Sequence, residues 1–243
     1  MRRIILGLAI TCVVAFFATG ACAQEKQAET PKAAPPKAAG LPKSPTARIA
    51  IAEEILVSFV DETSHHFDLA REYYMKKKYV AASDEMMKAA GFVKLEMARS
   101  RGEDERMLAD AVERLAMLAE SVRNGSAPSI DAMDETFAVT EQALAHHHEM
   151  KAQEYWRVED RKRAGQDLKA ATKHLESSLK YGGREAEAEA DTVIQDAREF
   201  GEKLAKGTAL AADKVGRAIQ ALGRKIEDAG KKMWPPKKQP KGE

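Results

Sequence analysis

Between Thr46 and Trp234 the chain carries one proline, Pro128, out of nine in the whole sequence. Proline removes a backbone donor and clashes with the preceding turn. A chain that avoids it over so long a span, while using Ala, Glu, Lys, Met and Leu freely, is built for helix. The apolar spacing agrees. Leu108, Val112, Leu115, Ala119 and Val122 form one stripe at three- and four-residue intervals. Ala82, Met86, Ala89, Val93 and Met97 form a second, and Ala164, Leu168, Ala171, Leu175 and Leu179 a third. No alternating strand pattern of useful length occurs. Breaks at Ser100-Arg101-Gly102, Asn124-Gly125-Ser126 and Tyr181-Gly182-Gly183 supply the glycine expected beyond a helix C-terminus, and Pro128 suits a first turn. These signals predict an all-α chain of about seven helices, at 47–77, 79–100, 103–123, 128–160, 163–181, 184–206 and 209–230. The division near Lys77 lacks a glycine, which leaves a kink or a tight turn open there.

Shifting the sequence against itself by 82 residues lays His65-His66 on His147-His148. The same shift matches Ala70 with Ala152, Glu72 with Glu154, Tyr73 with Tyr155, Ala82 with Ala164 and Ala89 with Ala171. Gly125 meets Gly207, so one offset relates apolar faces and loop punctuation together. The expectation is an internally duplicated helical bundle or hairpin array, with halves at 47–125 and 126–207. The segment 208–232 begins like a third copy; Val215, Ile219, Leu222 and Ile226 give it an apolar stripe with which to cap the bundle.

The run Tyr73-Tyr74-x4-Tyr79-x2-Ala82-x6-Ala89 resembles the helical hairpin of a tetratricopeptide repeat, in which small alanines let two helices approach closely. The resemblance covers about 20 residues and is partly echoed from Tyr155 to Ala171. It departs from the family where Lys77-Lys78 replace a glycine-containing turn, and in its period. It therefore implies hairpin packing, not a peptide-binding groove.

The ends read differently. Arg2 and Arg3, an apolar run from Ile4 to Phe17 and the site Ala21-Cys22-Ala23 make residues 1–23 a secretory signal peptide. Thr19-Gly20-Ala21-Cys22 also approximates a lipobox, with Cys22 as the lipidated residue and Thr19 where an aliphatic side chain is usual. The expected location is the periplasm, with a membrane-anchored lipoprotein as the alternative. Both cysteines, Cys12 and Cys22, fall in this leader, so the remainder has no thiol for disulfides, thiolate metal sites or nucleophilic catalysis. Of 39 Lys and Arg two lie in the leader, leaving 37 against 38 acids and no field to recruit nucleic acid. Residues 24–46, rich in Pro, Ala and Lys, read as a disordered tether, and 233–243 as a basic disordered tail. Lys231, Lys232, Trp234, Lys237 and Lys238 offer a contact for anionic lipid.

Five of six histidines cluster at equivalent places: His65 and His66 in the first half, His146, His147 and His148 in the second, with His174 apart. Helical spacing puts His66 on the stripe of Ala70 and Tyr73, and His148 on that of Ala152 and Tyr155. If the first helices of the two halves pack together, His66 and His148 approach each other. His65, His147, Glu72 and Glu154 then complete or orient a transition-metal or haem site, with Glu62 and Glu149 also in range. The competing expectation is that inward-facing histidines are buried and hydrogen-bonded to a tyrosine or a carboxylate. A ferritin-like centre needs Glu-x-x-His twice; Glu62-x-x-His65 supplies one, while Leu144 stands in the corresponding place before His147. Met86, Met87, Met97, Met107 and Met117 sit at core-like spacing.

No nucleophile elbow, phosphate loop, dinucleotide fingerprint or H-E-x-x-H motif is present. The sequence thus leads to a non-enzymatic helical module that binds another envelope protein or itself. A metal- or haem-binding bundle is the first alternative. A protein held at a membrane surface, by a lipidated Cys22 or by its last helix and tail, is the second.

Overall fold

The computed structural model describes residues 60–126, 128–185, 187 and 191–233. The expected leader with Cys12 and Cys22, the expected tether, the start of the helix expected from 47 and the residues beyond 233 lie outside the described residues. Among the described residues all regular structure is helical. The chain runs α1 (Val60–Met75), α2 (Tyr79–Met97), α3 (Glu103–Arg123), α4 (Ile130–Arg157), α5 (Arg161–Tyr181), α6 (Thr192–Ala205) and α7 (Ala212–Met233). None of these helices is long and apolar enough to cross a membrane.

Local chemistry sets the boundaries. Ser129 caps α4 by accepting the Ala132 N–H at 3.1 Å, and Asp160 caps α5 by accepting that of Arg163 at 3.1 Å. Asp191 accepts from Val193 and Ile194 and so starts α6 at Thr192, while Glu185 and Glu187, just past the glycine pair, are already helical. Glu103, Asp104 and Glu105 place negative charge on the first turn of α3. Between α1 and α2 the chain makes a tight turn: Lys77 adopts φ 58°, its N–H bonds Tyr74 O, and the Lys78 N–H bonds Tyr73 O, both at 2.9 Å. This is the closure glycine usually provides, made here by a lysine in the left-handed region.

The 82-residue spacing recurs through these features. It separates the ends of α1 and α4, the starts of α2 and α5, the ends of α3 and α6, and the starts of α4 and α7. It also separates Lys77 from Glu159 (φ 61°) and Gly125 from Gly207, the residues with positive φ that close those helices.

Helix α4 is the spine. It runs antiparallel to α1, with Phe137 on Phe67 and Asp134 on Arg71, and antiparallel to α5, with Ala138 at Ser178 and His148 at Asp167. It is antiparallel to α7 as well, where Gly216 faces Trp156, Gly223 faces Glu149 and Gly230 faces Gln142. Two apolar clusters form along it. The first joins α1, α2, α3 and the N-terminal half of α4 around Phe67, Met86, Leu108, Leu115 and Phe137. The second joins the rest of α4 to α5, α6 and α7 around Leu168, Leu175, Ile194, Ile219 and Leu222. Each fully buried Leu or Phe contributes roughly 2 kcal/mol against exposure.

The alanine stripes behave as expected: Ala82, Ala89, Ala164 and Ala171 are fully buried. Where α5 crosses α6 the fit is tighter still. A Cβ on Gly165 would lie 2.5 Å from Ala205 N and 2.8 Å from Gly201 O. The methionine expectation holds for Met86 but not for Met87 and Met117, which are 43% and 64% exposed on the outer sides of α2 and α3.

Candidate functional site

From Phe137 to Ala145 every residue of α4 is buried, because the helix is enclosed by its neighbours where the two apolar clusters meet. The sequence nevertheless places Thr140, Glu141, Gln142, His147, His148 and Glu149 in and just beyond this stretch. Burying such groups is tolerable only when each finds a partner, and the partners come from five other helices, α1, α2, α3, α5 and α7.

His147 and His148 are about 100° apart around α4, so they meet different neighbours. The His147 ring is fully enclosed. Its Nδ1–H donates to Asp104 of α3 at 2.7 Å and its Nε2–H to Glu96 of α2 at 3.1 Å. Arg99 holds the same Glu96 carboxylate at 2.8 Å, and His146 Nδ1 stands 3.7 Å from the second oxygen of Asp104. Burial works against charge on His147, but the bonds to Asp104 and Glu96 and their negative charges outweigh it, raising its pKa to about 9. Burial likewise opposes charge on Glu96, and the bond to His147 with the nearby positive charges brings it down to about 2. Asp104 moves down against its own burial for the same reason, through His147 and the neighbouring His146, and the closeness of the Asp104 carboxylate raises His146. This is a buried cationic imidazolium clamped between two carboxylates.

His148 turns the other way. Its Nδ1–H donates to Asp167 of α5 at 2.7 Å, and its ring stacks on His174 with centroids 5.3 Å apart and 5° between planes. His174 in turn donates from Nδ1 to Glu141 at 2.6 Å, and Ser64 of α1 donates to the other Glu141 oxygen at 2.7 Å. Burial dominates at His148 and lowers its pKa, despite Asp167 and Glu96. The equivalent place in the first half has the same layout. His66 Nδ1 bonds Glu85 at 2.6 Å, and its ring stacks on Phe92 at 5.6 Å. Glu85 with Asp167 and Phe92 with His174 are each 82 residues apart.

Glu149, 3% exposed, accepts from Gln153 at 2.5 Å beneath Gly223 of α7; burial raises its pKa. Gln142 donates to the Ile226 carbonyl of α7 under Gly230. Glycines at 216, 223 and 230, one every two turns, let α7 lie close over the polar side of α4.

His66 and His148 do not meet. The antiparallel pairing of Ser64 with Glu141 and of Phe67 with Phe137 puts His66 level with residues near 139, roughly 13 Å along the axis from His148 at the helical rise. The approach expected across the first helices assumed a register that the α1–α4 contact does not have. His65 is exposed, whereas its counterpart His147 is enclosed. Glu72 pairs with Lys76 and Glu154 with Lys151 at the surface, so neither joins a histidine. Both nitrogens of His147 are taken by carboxylates on opposite edges of the ring. Among the described residues no three His, Cys, Asp or Glu side chains are placed to hold a metal ion together. Glu62 is half-buried on α1.

The partners Glu96, Asp104, Asp167 and Glu141 escaped the sequence reading, and His174 was set apart from the cluster it completes. One signal was available: Glu85 and Asp167 are acids at core spacing and one offset apart. The chain matches no protein-family model, no curated protein and no solved structure.

Proposed function

We propose that this chain is a non-enzymatic, exported helical-repeat module that binds another envelope protein through its outer helical faces. One observation carries this reading: the side chains able to do chemistry are spent on joining helices. His66, His147, His148 and His174 each bond a carboxylate of a neighbouring helix, and the His66–Glu85 and His148–Asp167 bonds repeat at the spacing of the helices themselves. Stacked repeats of this kind build a rigid frame and leave an extended outer surface for recognition. That surface includes large apolar side chains on α2, among them Val80, Met87 and Leu95, which are 56%, 43% and 47% exposed. The apolar face of α7 favours a cap over a membrane-surface helix, since Val215, Ile219, Leu222, Ile226 and Ala229 are all buried against α4 and α6.

The test uses the full chain in its native envelope, with a photo-crosslinking residue in place of Met87, Leu95 or Met117 in turn and of buried Leu115 as control. The reading expects one dominant crosslinked protein from at least one outer position and none from the control. Crosslinking no stronger than the control at every outer position overturns it. A single species attached only to lipid replaces it with the membrane-surface reading.

A further inference from the structure

The adjacent histidines of α4 face opposite directions with opposite requirements. His147 makes two N–H bonds to carboxylates, and an imidazole can donate from both nitrogens only as the cation. His148 makes one such bond. Its Nε2 is buried without a hydrogen-bond partner, a position that suits a bare lone pair and leaves an added N–H with nothing to donate to. We propose that this pair makes α4 a two-way proton device: His147 holds α2 and α3 when it carries a second proton, and His148 holds α5 only when it does not.

The charged and titratable neighbours support the asymmetry. Around His147 stand Glu96 at the end of α2, Arg99 just beyond it, Asp104 of α3, and His146 and His148 of α4. Around His148 stand Asp167 and His174 of α5, Glu96 of α2 and His147 of α4. The two carboxylates that could welcome a proton on His148 are already engaged. Asp167 receives its Nδ1–H, and Glu96 is shared by His147 and Arg99. A proton on Nε2 would also set a cation 5.3 Å from the His147 cation and against the stacked face of His174. In the first half the ring stacked on His66 is Phe92, which cannot titrate, so the device belongs to the second half.

Mild acid therefore loosens one side of α4 and leaves the other fastened. An opened His148 takes up its proton near pH 6.5 while the closed one resists it. Falling from pH 7.5 to 5.0 then favours opening of the α4–α5 contact by up to about 30-fold. The His147 contact gains from the same change. Release of α5 also uncovers the face of α4 that carries Glu141 and Gln142, a surface different from the outer faces of the proposed module.

Site-resolved amide hydrogen exchange on the full chain at pH 7.5 and 5.0, expressed as protection factors, tests this. The expected result is at least a tenfold loss of protection in α5 around Asp167 to His174, with protection at the end of α2 and the start of α3 held or increased. His148→Asn keeps a donor for Asp167 and cannot titrate; it is expected to abolish the α5 loss. Equal loss in both places, no loss in α5, or an α5 loss that survives in His148→Asn each overturns the proposal. If the variant fails to fold, the wild-type contrast between α5 and the α2–α3 ends decides alone.

Discussion

Two junctions in this molecule are built on the same frame with different chemistry. Where α4 lies on the α2–α3 pair, the contact is a buried ionic triad: His147 between Glu96 and Asp104. Where α7 lies on the α5–α6 pair, the positions one offset on from His147 and Glu96 are Ala229 and Ser178; the counterpart of Asp104 in the sequence is Ala186, which lies outside the described residues. Ala229 and Ser178 are as deeply buried as the charged residues they correspond to. All three positions differ together. A buried triad cannot be dismantled piecemeal, because removing one member leaves an uncompensated charge, whereas replacing all of it by neutral residues that still fill the space is tolerated. The charged junction gains direction and pH dependence; the neutral one depends on apolar packing of Leu222, Ile226 and Ala229 with Leu175, Leu179, Ile194 and Ala197.

Removing one member of the triad should do the most damage. His147→Ala strands Glu96 and Asp104 and is expected to lower unfolding stability by about 3–5 kcal/mol in urea titrations. Copying the neutral junction, Glu96→Ser, Asp104→Ala and His147→Ala together, should recover the part of that loss due to stranded charge and leave the part due to the emptied volume. A triple variant no better than the single one would break the comparison.

The helix crossings differ next. Ala in place of Gly165 gains about 1 kcal/mol of helix propensity but drives a Cβ into the backbone of α6, which costs about 3 kcal/mol. A net loss near 2 kcal/mol is expected by calorimetry. The corresponding Ser83→Ala in the α2–α3 crossing should cost under about 1 kcal/mol, since it loses only the long bond from Arg123.

Stability should follow pH through the charged junction. His147 has a folded pKa raised to about 9, so its contribution is fully present below its unfolded value and disappears as pH rises through 9. Taking His147, Glu96 and Asp104 as one coupled unit, the loss from pH 7 to 10 is at most about 2.5 kcal/mol. Glu96 and Asp104 are depressed, so their contribution exists above the unfolded carboxylate range and is lost as pH falls toward about 2. The triple variant should lose the share of each dependence that these three groups contribute, read as the difference from the unaltered chain in urea unfolding across this range.

The smallest effect lies in the paired turns. Lys77 and Glu159 each hold positive φ at a strain of about 1–2 kcal/mol, offset for glycine by about 0.5–1 kcal/mol of entropy. Lys77→Gly and Glu159→Gly should each raise stability by about 0.5 kcal/mol in thermal unfolding. A gain in one but not the other would separate turns that the geometry makes alike.

The sequence made the helices legible because proline avoidance, apolar stripes and terminal glycines act locally, within a few turns. It also carried the offset that places His66 with His148 and Ala82 with Ala164. The expected helix from 184 to 206 missed the start at Thr192, because Gly182 and Gly183 announce an ending whereas the cap at Asp191 carries no glycine or proline signal. The histidine site was half legible. Spacing put His148 on an inner stripe, but whom it meets depends on how α4 registers against α1 and α5, and side-chain contacts far apart in sequence set that. Glu96 and Asp104 looked like solvated charges for the same reason: only the folded junction brings them to His147.

The protonation state of His147 tests this account most directly. Imidazole nitrogen NMR at pH 8 on the full chain, assigned by His147→Gln, should show both His147 nitrogens protonated, where an ordinary histidine is almost entirely neutral. A neutral His147 ring at that pH would mean that the triad is not the buried ion cluster described, and the contrast between the two junctions would fall with it.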